Sequence, residues 1–582
     1  MMRAWRRGPV PYGTPSQTVG RFIIGQAIYD SMKQVDTGGL TFQEMRKDGK
    51  YYVDKSLLIK DMLDTNDRGI FLYTRPRRFG KTTNISMLDA FFNRQYEGNA
   101  WFDGLAISDY PEYSRYKNKH PVIYLNLKDT VADDLDSFVR LLMNATREAF
   151  SPFRYLLERD DVYQDEKAEI LSVLNRTIDR NDLTFCVRNL CAVLRRCHDR
   201  MPVILIDEYD RAVSDAFGSE RQGEVIRYLS AFLSPALKNN TSLQMAYVTG
   251  VTRVSHANMF SGWNNVLVND VFSTRSDERF GFTEDEVRGI LGYYGHSERF
   301  DEVRRWYDGY RFGDADVYNP YSVMMYVQNG FVPQSYWMMT SRANPLRRLL
   351  RRTGSSEMDF PSLLAGAQVE APIHVTMSFD ELDPVNRTDL FSLMVMTGYL
   401  RAEPIDGVKC RLSIPNGEIM EVLDRMISEN AGLDTARFSE FCSAVIDGDG
   451  PRMEDSLGFI LAGSSYMTGG MEFPYEVLLL TMMRGIIRDF DVRMESEEGN
   501  GRVDIILKPV TSVRHPIIME LKTAASEVDL IPGAEGALKQ IHDRRYYAGM
   551  KGRVQLIGIS FWGKVPCVRT DAVNPRPFKE SL

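Results

Sequence analysis

Four short apolar runs, "GIFLYT" (69–74), "PVIYLNLK" (121–128), "PVILIDEYD" (202–210) and "LQMAYVTG" (243–250), are separated from one another by long amphipathic stretches. A strand that is apolar on both faces has to be covered on both sides, and helix-length spacers provide crossover connections. The pattern therefore demands a parallel sheet with helices on both faces, and it marks residues 40–290 as one α/β unit. The chain has room for more, since 582 residues at ~150 residues per domain make about three or four domains.

The rest divides by pattern. Residues 1–39 begin with Pro, Gly and Arg, end in "DTGG", and read as an extension with little core of its own. Residues 291–464 are mostly helical and rich in aromatics, and "LFSLMVMTGYLRAEPIDGVKCRLSIPNGEIMEVLDRMI" reads as helix, hairpin, helix, in the manner of a winged helix. Residues 465–582 are again mixed α and β. The fold class expected is thus α/β multidomain. A net charge of -8 provides no global positive field, so any nucleic-acid binding has to come from local patches. Cys186, Cys191, Cys197, Cys410, Cys442 and Cys567 form no Cys-x-x-Cys pair, which fits reduced, structural thiols. No apolar run reaches the ~18 residues of a membrane helix, and the N-terminus lacks the apolar core of a signal peptide. A soluble, cytoplasmic protein without a membrane partner is expected.

Chemistry concentrates in two places. "FLYTRPRRFGKTT" (71–83) ends as a phosphate-binding loop does, in Gly80, Lys81 and Thr82, but has Arg75 where such a loop begins with glycine. A strand before it and the helix "TNISMLDAFF" after it would let backbone N–H groups and the helix dipole converge on an anion. Lys81 would reach the β- and γ-phosphates and Thr82 a Mg²⁺ ion, with Arg75, Arg77 and Arg78 adding charge nearby. The competing reading is a basic turn that caps a helix. "PVILIDEYD" adds Asp207 as a Mg²⁺ partner and Glu208 as the residue that polarises water, against the alternative of a solvated sheet edge. A further strand ends at Thr249, placed to sense the γ-phosphate, followed by Arg253.

In the C-terminal region "GRVDIIL" carries Asp504, and "HPIIMELKTA" carries Glu520 and Lys522 on one strand face. Two carboxylates and an ammonium on neighbouring strands suit Mg²⁺ or Mn²⁺, with Gln540 on the next helix and Glu472 before the helix "YEVLLLTMMRGI" as further contributors. The spacing Asp-x15-Glu-x-Lys alone also describes an ordinary solvent-facing strand. Blander readings suit "WYDGYRF" and "VYNPYS" as an interface, Asp54 and Lys55 as a structural pair, and Arg347, Arg348, Arg351 and Arg352 as a solvated helix face.

Together with "YYVDKSLLI", "VTGVTRVS", "FSGWNN", "FGFTEDEV", "WYDGYRF", "VYNPYSV", "LMVMTGYL" and "IPNGE", these motifs resemble AAA-ATPase-like proteins fused to a C-terminal PD-(D/E)xK nuclease domain, from about Thr41 onward. That family's loop also has arginine in place of the first glycine. The resemblance implies a variant nucleotide loop of Arg75, Pro76, Arg77, Arg78, Phe79, Gly80, Lys81, Thr82 and Thr83, an acidic pair at Asp207 and Glu208, and a nuclease triad at Asp504, Glu520 and Lys522. It further implies a P-loop NTPase sheet, a restriction-endonuclease-like C-terminal domain, ATP and Mg²⁺ (or Mn²⁺) as cofactors, and nucleic acid, DNA ahead of RNA, as substrate. A homo-oligomer is compatible with it. Two functions follow: an ATP-hydrolysing protein with a metal-dependent nuclease, or a nucleotide-switched binding protein whose nuclease fold is a platform that does not cut.

Overall fold

A computed structural model of the chain describes residues 32–131, 133–217, 219–255, 266–337, 363, 366–378, 387–430, 435–463, 475, 479, 482, 483, 486, 490–498, 501–510 and 514–575. The four apolar runs are strands β1 (Ile70–Thr74), β2 (Val122–Asn126), β3 (Val203–Asp207) and β4 (Met245–Gly250). A short β5 (Arg253–Ser255) lies outside their sheet, and β6 (Val266–Asn269) completes it. The order is β2-β3-β4-β1-β6, all parallel. β3 and β4 are buried along their whole length, which is why their sequences are apolar without alternation. β6 was not among the expected strands: as an edge strand with three half-buried residues it has no such run. Helices Lys81–Phe92 and Leu135–Phe150 pack on the sheet. All strands point the same way, so the loop after β1 and the ends of β3 and β4 meet at one edge.

The sheet's core continues into the middle region. A hairpin of β7 (Tyr310–Phe312) and β8 (Ala315–Val317) packs its aromatics against the loop after β1. The expected helix, hairpin, helix is present as helix Arg387–Thr397, strands β11 (Arg401–Pro404) and β12 (Lys409–Ser413), and helix Gly417–Asn430. β9 (Val369–Pro372) adds a third strand in the order β11-β12-β9. Between β9 and the first helix, β10 (Thr376–Ser378) pairs in parallel with β5 and so ties this winged unit to the end of β4. "WYDGYRF" and "VYNPYS" are structural as expected: Asn416 Nδ2 donates to Asp308 O at 2.6 Å, and Asn319 caps helix Pro320–Gln328.

In the C-terminal region β13 (Phe490–Glu498), β14 (Gly501–Pro509), β15 (Ile517–Thr523), β16 (Val554–Trp562) and β17 (Val565–Val573) form one sheet in chain order. Only the β15–β16 pair is parallel, and helix Leu530–Arg544 makes its crossover. Packing crosses the expected boundary at 464. Phe441, Val445 and Leu457, from helices Thr435–Asp447 and Gly450–Gly463, share a core with Met519 and Ile557 of this sheet. Gln555 Nε2 also donates to Val445 O at 2.8 Å. Packing also reaches back into the expected extension: Met32 and Val35 pack on the helical core of residues 282–336, and Tyr294 Oη donates to Lys33 O at 2.6 Å. All six cysteines are free thiols. Among the described residues, no helix is long and apolar enough to cross a membrane.

The middle region holds one expensive group. Glu418 is fully buried, with Trp337 N–H donating to Oε1 at 2.7 Å and Ser322 Oγ donating to Oε2 at 2.8 Å. Burial pushes its carboxyl up to about 7. The folded state therefore holds this proton more tightly than the unfolded chain does, and the associated stability, on the order of 3 kcal/mol, is present below the unfolded pKa and lost as pH rises through about 7. Glu418→Gln should flatten the fall in melting temperature between pH 5 and 8. Thermal scans in which variant and wild type decline in parallel would dismiss this account.

Candidate functional site

At the shared edge of the first sheet, β1 turns through residues 75–80 into helix Lys81–Phe92. The left-handed steps fall at Arg78 (φ 72) and Gly80 (φ 77), whereas Arg75 has no positive φ and needs no glycine. Arg75 corrects an expectation about the loop. Its guanidinium does not join the loop's surface: it is fully buried between the rings of Phe280 and Phe312 and donates to Asn269 Oδ1 at 2.6 Å and Thr74 O at 2.9 Å. Burial lowers its pKa to about 10, so it stays charged at neutral pH. Phe79 is also turned inward, 4.8 Å from the ring of Tyr310, and Pro76 lies against Gly398, where a Cβ would come within 2.9 Å of it. These side chains brace the loop, and residues 77–83 line a cavity of about 470 Å³.

Lys81 is buried at the cavity's floor and donates from Nζ to Arg75 O at 2.9 Å and Pro76 O at 2.8 Å. Burial lowers its pKa, while Glu208, Asp207 and Asp210 hold it up. Thr82 Oγ1, in the first turn of the helix after β1, donates to Asp207 Oδ2 at the end of β3 at 2.9 Å. Asp207 Oδ1 is buried without a hydrogen-bond partner. Burial first and the charge of Glu208 second push Asp207 up to about 6. Glu208 lines the cavity with its backbone in the left-handed region at φ 54. Thr249, at the end of β4, stands between the two because β4 pairs with both β1 and β3; it is fully buried. Neither Thr249 nor Arg253 lines the cavity; Arg253 belongs to β5, opposite Thr376.

Three cations on the cavity wall, Lys128, Arg211 and Arg279, escaped the sequence reading. Lys128 follows β2, and the pairing of Asn126 with Asp207 carries it to the same edge; Arg211 follows the acidic strand directly. For these two, a basic residue just beyond an apolar run was the available signal. Lys55 does have a structural partner, but it is Glu286 at 2.6 Å; Asp54 instead accepts from Ser56 N and Ala106 N.

In the second sheet, Asp504, Glu520, Lys522 and Gln540 come together. The register Ile505–Met519 sets Asp504 beside Glu520, and Asp504 Oδ2 accepts from Leu521 N at 2.8 Å. Lys522 Nζ lies 3.4 Å from Glu520 Oε1 and donates to Gln540 Oε1 at 2.6 Å, while Gln540 Nε2 donates to Glu520 Oε1. An ammonium can only donate, so this pair fixes the amide's orientation. Tyr546 Oη, 3.2 Å from Gln540 Nε2, supports that orientation and was missed because an aromatic after a helix carries no signal of its own. Burial and then Asp504 push Glu520 up to about 7, and its Oε2 is buried without a hydrogen-bond partner. Glu472 and the Arg347–Arg352 cluster lie outside the described residues. Among the described residues no three His, Cys, Asp or Glu side chains converge. Two neighbouring carboxylates, with Glu520 Oε2 spare, still fit Mg²⁺, which keeps several waters and takes one or two protein carboxylates.

Comparison with known proteins finds matches over the two regions that carry these clusters. Residues 37–260 match a family described as "Predicted AAA-ATPase", and residues 471–569 match the "PD-(D/E)XK nuclease superfamily". The chain thus carries an AAA-ATPase-like domain and, at its C-terminal end, a domain of the PD-(D/E)XK nuclease superfamily. It is also similar to an uncharacterised protein in the vnfD 5′ region of Azotobacter chroococcum mcd 1, 25% identical over 562 residues that cover 91% of this chain and 97% of that one.

Two outcomes follow from the raised carboxyls. Ionised Asp207 costs stability: its contribution is full below the unfolded value near 3.8 and is lost as pH rises through about 6. Asp207→Asn should therefore raise the melting temperature of nucleotide-free protein at pH 7.5; an unchanged or lower value would contradict this. At the second site a cation must displace the Glu520 proton, so Mn²⁺ affinity measured by calorimetry should rise as pH increases through about 7 and then level off. A flat profile from pH 6 to 8 would count against Glu520 as a ligand.

Proposed function

We propose that this protein binds and hydrolyses ATP at the loop after β1, and that it cleaves nucleic-acid phosphodiesters at the β14–β15 site. One observation carries the reading: each acidic cluster leaves a buried carboxylate oxygen, Asp207 Oδ1 and Glu520 Oε2, without any donor. Such an oxygen is costly in a folded protein unless a cation or an ordered water meets it. Both lie beside the groups the matching chemistry needs, Thr82 and Lys81 in one case and Lys522 in the other.

In the first site the backbone of residues 77–83 and the start of the helix receive phosphate oxygens, and Lys81 exchanges its two loop carbonyls for them. Thr82 and Asp207 would hold Mg²⁺, and Glu208 orients the attacking water. In the second site Asp504 and Glu520 would hold the divalent ion. That ion, when bound, supplies a Lewis acid for the phosphoryl group and lowers the pKa of water. Lys522 stands ready to donate to the phosphate or the incoming water, and Gln540 keeps its ammonium placed. Asp504 and Glu520 are backed by strands in a packed sheet, so the site is rigid. The work divides between residues 40–290 for the nucleotide and the C-terminal domain for the nucleic acid, with the winged unit between them.

The test is cleavage of single- and double-stranded DNA and RNA with Mg²⁺ or Mn²⁺, with and without ATP, by wild type, Lys81→Ala and Glu520→Ala. Cutting should vanish in Glu520→Ala. Lys81→Ala should weaken ATP binding by about tenfold or more, ~1.4 kcal/mol. Cutting retained in Glu520→Ala would refute the nuclease assignment, and unaltered ATP binding in Lys81→Ala the nucleotide one.

A further inference from the structure

The carboxylate two residues beyond Glu208 has no part in the chemistry above, yet it is among the most heavily bonded groups at this edge. Asp210 is buried, and its Oδ2 accepts from Val251 N at 3.0 Å, Thr252 N at 2.7 Å and Thr252 Oγ1 at 2.8 Å. Tyr209 grips the same segment: its N–H donates to Thr249 O at 3.1 Å and its hydroxyl to Thr252 O at 2.8 Å. Glycine at 250 makes the approach feasible, because a Cβ there would lie 2.6 Å from Asp210 Oδ1 and 2.7 Å from the Tyr209 ring. The carbonyl of Gly250 accepts from Arg75 N at 3.1 Å. The entry to the phosphate loop, the exit of β3 and the exit of β4 therefore meet at one glycine.

Two consequences follow from this clamp. Glu208 sits in the left-handed region, which a residue with a side chain keeps only when its surroundings hold it there. The residues held are its two successors, with Arg211 N donating to Glu208 O at 3.0 Å closing the turn. On the far side, Thr252 leads directly into β5, which pairs with β10. β10 is joined to the winged unit through His374, whose N–H donates to Ser392 Oγ of helix Arg387–Thr397 at 2.8 Å. Three hydrogen bonds onto one carboxylate oxygen leave the 251–252 backbone little freedom to move independently of β3.

We propose that Asp210 is a positioning residue: it sets Glu208 at the cavity and carries the site's occupancy, through residues 251–255, to β10 and the winged unit. This rests on the nucleotide reading above. The experiment uses full-length protein and measures ATP affinity, KM, kcat, and amide hydrogen exchange in 253–255 and 376–378 with and without Mg·ATP. The variants are Asp210→Ala, Asp210→Asn and Gly250→Ala. Asp210→Ala and Gly250→Ala should keep ATP affinity and KM while lowering kcat by about 10- to 100-fold, the cost of a misplaced reacting group. Both should also erase the exchange response. Asp210→Asn, which keeps an oxygen for the two N–H donors, should recover part of both. If the alanine variants do not fold, Thr252→Val removes a single bond and should show the same pattern in weaker form. Unchanged kcat, or affinity and kcat falling together with melting temperature, would overturn the proposal. So would wild type that binds ATP without any exchange response in β5 and β10, which leaves the nucleotide reading standing. Failure of both wild type and Lys81→Ala to bind ATP would remove that reading and this proposal with it.

Discussion

The hydrogen bond from Thr82 to Asp207 is short in space and long in sequence, and it exists only because β1, β4 and β3 run side by side in the same direction. Parallel pairing delivers three strand ends to one edge: the loop and its helix from β1, the acidic pair from β3, and Thr249 with Gly250 from β4. Everything proposed for the nucleotide depends on that convergence. It also explains the local electrostatics. Lys81, Asp207 and Asp210 are all withdrawn from water, so each is pushed toward its neutral form while its neighbours of opposite charge oppose the shift.

The loop's unusual entry is best understood as bracing. A glycine at position 75 would leave the space between Phe280 and Phe312 empty; the arginine fills it, directs its two terminal amino groups to Asn269 and Thr74, and leaves its own backbone N–H to Gly250. Phe79 and Pro76 extend the same contact to the β7–β8 hairpin and to Gly398 in the winged unit. A loop anchored in this way on the middle region is mechanically joined to it. The β5–β10 pair makes a second junction at the end of β4.

The nuclease-type site obeys a different logic. Its four residues come from two neighbouring strands and one crossover helix, and their mutual hydrogen bonds form a closed set in which Gln540 bridges Lys522 and Glu520. The helices that close its core come from before residue 464. Their apolar stripes resemble those of the helical middle region, and a stripe alone does not name the surface it will cover.

Much of this was legible in one dimension because it depends on local period and local chemistry. Doubly buried strands have continuous apolar runs, which marked β1 to β4; alternation across β15 put Glu520 and Lys522 on one face; and the strand, loop, helix sequence around Lys81 follows from residues adjacent in the chain. What depends on partners far away in sequence was not legible. The direction of the Arg75 side chain is set by Phe280, Phe312 and Asn269, which no pattern near residue 75 announces. Lys128, Arg211 and Tyr546 gain their places through strand pairing and helix docking. The three-residue β5–β10 pair is too short to have a period at all. The sequence by itself determined which residues have the chemistry proposed here for phosphate and metal, because that is a property of side-chain chemistry and local spacing. Only the tertiary structure decided which of them face a common cavity and which are turned inward to hold it, because that is settled by long-range packing.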